Sequence, residues 1–308
     1  MAFVRRLYFN ALFGALGGLL GWMLFGELIN PLWSWTTQQL CGGALIGSLI
    51  GCFVVSVDAI LDRALLRFVR FAAVGTVMGG VGGALGFWLG EQVHYALVPS
   101  TGELSSSGLA GLVLARGLGW MFFGLAVGCA EGIASRSLRK LSYGAIGGTL
   151  GGLLGGIIFG LFMAYWEPGQ RSYVWGQALG LAILGAFIGS LMAVVEAVLK
   201  PAALLVIRGW QEGREFPVVK ARSVVGRDEG VDILLLRDMG IAKRHLAIER
   251  RGERYVVAAA NGSLAATLVN GQPAHPNQPL ADGDRLQLGA TLVKFLQRAA
   301  RGDQPRRR

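Results

Sequence analysis

The chain predicts a multi-domain membrane protein: an all-α bundle of six glycine-rich transmembrane helices, built as three repeated hairpins, followed by an all-β sandwich. Three observations predict it. Six apolar segments are each long enough to span about 30 Å of hydrocarbon as helices. Of the 48 glycines, 37 lie in residues 1–200. After residue 201 the pattern changes to short β-rich runs separated by Gly, Asp and Asn. Composition agrees, with 53% apolar residues, 16% charged residues and a mean hydropathy of +0.51. Those values exclude a disordered chain and argue against an ordinary soluble enzyme. The expected domains are 1–200 (six spans), 201–298 (sandwich) and 299–308, a basic tail expected to be disordered.

The spans are placed near 8–28, 39–60, 71–95, 109–131, 143–165 and 177–198. Their orientation follows the basic residues of the short loops. Arg5 and Arg6 precede span one. Arg63, Arg67 and Arg70 follow span two, Arg136, Arg139 and Lys140 follow span four, and Lys200 and Arg208 follow span six. The intervening loops carry only Arg171. Both termini are therefore expected in the cytoplasm of a bacterium, with the six spans in its inner (plasma) membrane; the bacterial setting comes from the domain pairing and not from charge. The arginine-bearing loops either signal topology or lie along the anionic inner leaflet.

Repetition is visible in two patterns. Gly14-Ala15-Leu16-Gly17-Gly18-Leu19-Leu20-Gly21 returns as Gly144-Ala145-Ile146-Gly147-Gly148-Thr149-Leu150-Gly151. In the even spans an acid follows a glycine by seven residues: Gly51 and Asp58, Gly124 and Glu131, Gly189 and Glu196. Glycines also recur four apart, as in Gly43, Gly47 and Gly51, or Gly144, Gly148, Gly152, Gly156 and Gly160. Residues four apart share a helix face. Such glycine-zipper stripes let neighbouring backbones approach closely, which drives helix association in lipid. Whether they pack within one chain or build a homo-oligomer is open at this point.

Charges inside a bilayer are functional candidates. Arg116 is the intramembrane charge, expected about two turns into span four. Asp58, Glu131 and Glu196 are expected to form interfacial ion pairs with Arg63, Arg136 and Lys200. No span contains proline, which weighs against the discontinuous helices of a transporter. Cys41, Cys52 and Cys129 show no metal-binding spacing, and His94, His245 and His275 are far apart. No metal and no cofactor is expected. No catalytic signature is present, so an enzyme is not expected.

The second part carries short runs at 204–208, 218–225, 233–236, 246–250, 255–259, 267–269, 285–288 and 292–296, the spacing of a β-sandwich or barrel. Six landmarks follow in order. They are Gly209 and Gly213; Gly226-Arg227; Asp232-Ile233-Leu234-Leu235; Ile241-Ala242-Lys243-Arg244-His245; Ser263 to Gly271; and Leu280 to Gly289. In this order they resemble a forkhead-associated (FHA) domain over residues 202–297.

That resemblance implies recognition of phosphothreonine peptides through loops at one end of the sandwich. The candidate phosphopeptide-binding residues it implies are Arg227, Lys243, Arg244, Ser263 and Thr267, with His245 as a residue of the fold. The sequence departs from the family where a phosphate-binding serine is Ala242 and a peptide-binding asparagine is Ala265. Loss of a hydroxyl donor to a charged group costs about 1.5–3 kcal/mol, or roughly 10–100-fold in affinity. Two readings stay open: an altered phosphopeptide site, or a site for an unphosphorylated partner. Nucleic acid is a weaker reading, because aromatics do not interleave with the basic residues. The chain is thus expected to be a membrane-anchored scaffold or receptor that recruits a cytoplasmic, phosphothreonine-containing protein. The alternative is a channel or transporter regulated by the sandwich.

Overall fold

The structure, a computed structural model, describes residues 2–29, 32–97, 106–165, 171–261, 264 and 266–297. It divides into two compact units, one of Phe3–Val198 and one containing Leu199–Arg308. Ser263, Ala265, Glu103 and the tail at 299–308 lie outside the described residues.

The first unit holds six helices: α1 (Ala2–Leu28), α2 (Trp35–Asp62), α3 (Leu65–Leu97), α4 (Ser106–Ser135), α5 (Leu138–Tyr165) and α6 (Arg171–Leu199). Each is long and apolar enough to cross a membrane. They run further than the apolar segments because the expected basic loops are themselves helical. Only Arg63 and Ala64 separate α2 from α3, and only Arg136 and Ser137 separate α4 from α5. Arg63 and Arg136 are left-handed, with φ 53° and 51°. The Arg63 N–H donates to Ile60 O and the Ala64 N–H to Ala59 O. The Arg136 N–H donates to Ile133 O and the Ser137 N–H to Gly132 O. Such caps satisfy the last carbonyls and reverse the chain at once. Arg67, Arg70, Arg139 and Lys140 therefore stand on the first two helical turns rather than in loops lying flat on a leaflet.

Glycines set the helix pairs. A Cβ on Gly47 would strike the Gly79 carbonyl, and one on Gly51 the Gly75 carbonyl, which brings α2 onto α3. The same holds for Gly124 against Gly148 and Gly128 against Gly144 between α4 and α5, and for Gly14 against Gly185 between α1 and α6. Gly17 rests on Ile50 (α1 on α2), Gly86 on Gly119 (α3 on α4) and Gly151 on Ile188 (α5 on α6). The six helices form a closed ring. The expected hairpins pair α1 with α2, α3 with α4 and α5 with α6. Main chain approaches main chain within these pairs and, more tightly, across α2–α3, α4–α5 and α6–α1.

Even helices fill the ring. Ile50, Phe123 and Ile188 are fully buried, each one residue before the glycine of the Gly–acid pattern. Val54, Val127 and Met192 follow one turn on, and Asp58, Glu131 and Glu196 one turn further on the same face. The acids do not pair as expected. Arg6 binds both Asp58 at 3.3 Å and Glu196 at 2.6 Å, and Lys140 binds Glu131 at 3.0 Å. Lys200 instead binds Glu215 at 2.6 Å. Arg63 and Arg136 are exposed at their turns, whereas ring closure carries Arg6 of α1 to the axial acids. Arg116 lies on α4, ten residues after the helix begins at Ser106. Its Cβ faces Gly160 of α5.

The second unit is a sandwich of two sheets. Its strands are β1 (Ala202–Arg208), β2 (Glu215–Pro217), β3 (Arg222–Gly226), β4 (Ile233–Leu234), β5 (Leu246–Arg251), β6 (Arg254–Ala259), β7 (Thr267–Val269), β8 (Gln272–Pro273), β9 (Pro279–Leu280), β10 (Arg285–Leu288) and β11 (Thr291–Gln297). One sheet has the order β2-β1-β11-β10-β7-β8, the other β4-β3-β5-β6-β9. The run expected at 218–225 begins as a strand only at Arg222. The unexpected strands β2, β8 and β9 have two or three residues each, too few to show an alternation. Leu204, Val225, Ile248, Val257, Leu286 and Phe295 form the core between the sheets.

Register places the loops. Ala202 lies opposite Gln297, and Arg208 opposite Leu292. Chain entry and the end of β11 therefore share one end of the sandwich. The loops 209–214, 227–232, 235–245 and 289–290 collect at the other end, with the end of β6 and the start of β7, about 20 Å away along a seven-residue strand.

Close glycine packing makes a sharp prediction. Gly47→Ala or Gly124→Ala should destabilise the bundle by about 2 kcal/mol, since overpacking against backbone has no side chain to move aside. Gly26, with nothing within 4 Å of its added Cβ, should accept alanine without loss. Thermal unfolding of the purified protein in detergent checks this.

Candidate partner-binding site

The site begins with Gly226 at the end of β3. A side chain there would collide with the Lys243 carbonyl and press on Arg244. Glycine lets the 242–245 segment lie across the strand end. Two main-chain bonds hold it: the Arg227 N–H donates to Ala242 O and the Asp228 N–H to Lys243 O, both at 3.2 Å. Arg227 is thereby brought beside Ala242, Lys243 and Arg244, all three exposed.

His245 anchors the segment from below. It is 2% exposed, and its backbone N–H donates to Val225 O at 2.8 Å. The Ala242 N–H donates to Nδ1 at 3.1 Å, so the ring proton sits on Nε2. That nitrogen lies 3.1 Å from Thr267 Oγ1 and 3.2 Å from Ala266 O. The histidine thus ties the β4–β5 loop of one sheet to the start of β7 in the other. Burial pushes its pKa down; the Ala266 carbonyl and the Asp238 charge pull partly the other way.

Asp238 fixes the outer part of the same loop. Its Oδ1 accepts from the Gly240 N–H at 3.0 Å. Its Oδ2 accepts from the Ala290 N–H and Thr291 N–H at 2.9 Å and from the Thr291 hydroxyl at 2.7 Å. Partial burial pushes this carboxyl up, but the four donors outweigh it and hold it below the usual aspartate range.

The guanidinium of Arg227 has few acceptors. Among the described residues its Nη1 meets only the Met239 sulfur, at 3.9 Å, and its Nε is buried without a partner. A charged donor left so is costly unless an acceptor arrives. Arg227, Lys243 and Arg244 are thus brought together. Thr267 is not: it is 4% exposed and its hydroxyl is engaged with His245. Its neighbourhood to the family's site motif is real in sequence, but its first strand position turns it inward to the histidine. Asn270, Asp282 and Asp284 serve the opposite end, as turn residues. Asn270 donates to Asp284 Oδ1 and accepts from the Arg285 N–H, both at 2.9 Å, and Asp282 accepts from the Gln297 N–H at 2.8 Å. Sequence reasoning missed Met239 and Trp210, which no motif marks.

A pH effect follows from His245. Its folded pKa lies below the ordinary 6.5, so its contribution to stability is present above that value and is lost as pH falls through the lowered folded value. Chemical denaturation between pH 7.5 and 5 should show the sandwich losing stability on acidification. In His245→Gln that slope should flatten while overall stability falls by about 1–3 kcal/mol.

Residues 205–299, just under a third of the chain, match the family model Yop-YscD, described as the inner membrane component of T3SS (type III secretion), cytoplasmic domain. No curated protein matches the chain. Several solved structures are similar. One is the FhaA FHA domain complexed with the intracellular domain of Rv3910, at 30% identity, covering 30% of this chain and 98% of that one, with TM-score 0.27. Another is the FHA domain of the CT664 protein of Chlamydia trachomatis, at 26% identity, 32% and 99% coverage and TM-score 0.29. A third is the cytoplasmic domain of the sorting platform protein PscD from P. aeruginosa, at 22% identity, 35% and 98% coverage and TM-score 0.28. Residues 205–299 thus form an FHA-like domain matched by the type III secretion inner-membrane family, in a chain with six helices able to cross a membrane.

Proposed function

We propose that this chain is a membrane-anchored scaffold that recruits a cytoplasmic protein through the loop end of its FHA-like domain, within an inner-membrane secretion assembly. The observation that carries it is Arg227. Among the described residues its guanidinium meets no oxygen acceptor, and it stands beside exposed Lys243 and Arg244 of the neighbouring loop, which His245 and Asp238 tie down. Three cations on two adjoining loops suit an anionic segment of a partner. Phosphothreonine is one such anion. The methyl of Ala242, exposed where the family has a hydroxyl, leaves one donor fewer for it.

The family description and the six helices support the membrane setting, with the sandwich on the cytoplasmic side. For the helices, a role as anchor is supported by the packing of Ile50, Phe123 and Ile188, which are fully buried in one apolar cluster.

Full-length protein in nanodiscs should bind acidic peptides from a phosphothreonine library with a small preference over the unphosphorylated set. Arg227→Ala should weaken this binding by about tenfold or more, and Ala242→Ser should strengthen the phosphorylated set alone by about tenfold. Binding indifferent to Arg227→Ala would remove the reading.

A further inference from the structure

Two large apolar side chains stand out on the sandwich. Among the described residues of 200–297, Trp210 is 57% exposed and Met239 is 80% exposed, while other residues of comparable size are covered. They are distant in sequence, on the β1–β2 and β4–β5 loops, yet both lie at the loop end. The Arg237 guanidinium stacks over the Trp210 ring, 3.8 Å from its centroid. Met239 touches Arg227 through its sulfur. The Leu236 N–H donates to the Gln211 side-chain oxygen at 3.1 Å, which ties the two loops together.

This patch is held in place at a cost. Arg237 has φ 62°, a left-handed conformation that costs a residue with a Cβ about 1–2 kcal/mol. Glycine would adopt it freely. Neighbouring Asp238 enforces the turn through its four bonds to 240, 290 and 291. Strain that surrounding structure maintains, in a loop that exposes a tryptophan and a methionine, is a mark of a functional surface. The acids of this loop end are partly turned to their own backbone: Asp238 as above, and Asp228 Oδ1 accepting from the Gly230 N–H at 3.3 Å. Asp232 pairs with Lys220 at 2.7 Å and accepts from the Val224 N–H at 2.9 Å, and Glu212 and Glu229 are the others. Arg227, Arg237, Lys243 and Arg244 remain as the cations that face outward or line the patch.

We infer that Trp210, Arg237 and Met239 form a second recognition surface, continuous with Arg227, that takes a large apolar side chain of an acidic partner segment. The inference rests on the reading of Arg227 as an anion contact. The partner's acid would meet Arg227, and its apolar residue would lie against Met239 and the Trp210–Arg237 stack. Tryptophan and arginine are enriched at interface hot spots, tryptophan because it buries much area on two rotatable bonds and arginine because its planar guanidinium both stacks and donates. Charge brings the acid to the cations, and the apolar contact selects among acidic segments. Specificity would therefore come from Trp210 and Met239, which the family motifs do not contain.

The test pans a random peptide library, displayed on phage, against the full chain in nanodiscs. Enriched peptides are then synthesised and titrated. Enriched sequences should pair Asp or Glu with a Leu, Ile, Met or aromatic residue at constant spacing. Trp210→Ala and Met239→Ser should each weaken them by about tenfold, and replacing the peptide's apolar residue by serine should abolish the difference between wild type and these variants. Arg237→Gly relieves the backbone while removing the stack, so it should keep stability and still lose affinity. If Arg227→Ala weakens binding but Trp210→Ala and Met239→Ser do not, the apolar surface is refuted and the anion site stands. If none of the variants matters, or no peptide is enriched, both fall. Variants are first matched in thermal unfolding, and Trp210→Phe, which keeps a ring for Arg237, should retain most of the affinity.

Discussion

Close approach of main chain to main chain is the constraint on which the bundle rests. In lipid, apolar side chains gain nothing by leaving one apolar surface for another, so helices need dispersion contacts at short range. Glycines at four-residue spacing supply them between α2 and α3, between α4 and α5, and between α6 and α1. The third of these pairs joins the first helix to the last. That closure decides much else. It brings Arg6 to Asp58 and Glu196, and it encloses the axial stripe of Ile50, Phe123 and Ile188. Ion pairs at such depth do not by themselves stabilise, because desolvation offsets attraction. Their stronger consequence is specificity: an axial carboxylate without its cation would be costly, so only the arrangement with α1 in the ring satisfies Glu196.

The sandwich solves a different problem. It must hold exposed cations in loops without help from a core. Two anchors do this, one buried and one partly exposed. His245 accepts from the Ala242 N–H and reaches Thr267 in the opposite sheet. Asp238 gathers three backbone N–H groups and a hydroxyl from two loops. Gly226 makes room for the segment between them. The outcome is a rigid end carrying Arg227 with unmet hydrogen-bonding capacity and two exposed apolar side chains near it. Rigidity matters because a preorganised surface loses less entropy on binding.

Some of this was legible in the sequence for plain reasons. The six helices show as apolar runs because a bilayer sets a minimum length. The Gly226-Arg227 pair and His245 show because steric and hydrogen-bonding demands at those points admit few residues. Thr267 misled, since a motif position does not say which way a strand's first side chain turns. The basic loops misled because a two-residue left-handed turn at Arg63 or Arg136 leaves the next arginines on a helix. Trp210 and Met239 carry no pattern at all, since exposure is a property of what does not cover them.

Local chemistry in the chain alone determined the six helices, the two unlike units, the turn glycines and the set of cations available for a partner. Those features depend on length, periodicity and short-range sterics. Only the tertiary structure decided that α1 pairs with α6, that Arg6 rather than Arg63 meets the axial acids, and that Met239 lies against Arg227 while Arg237 covers Trp210. These are contacts between residues far apart along the chain. They arise from how complete elements close on one another, and no local spacing encodes them.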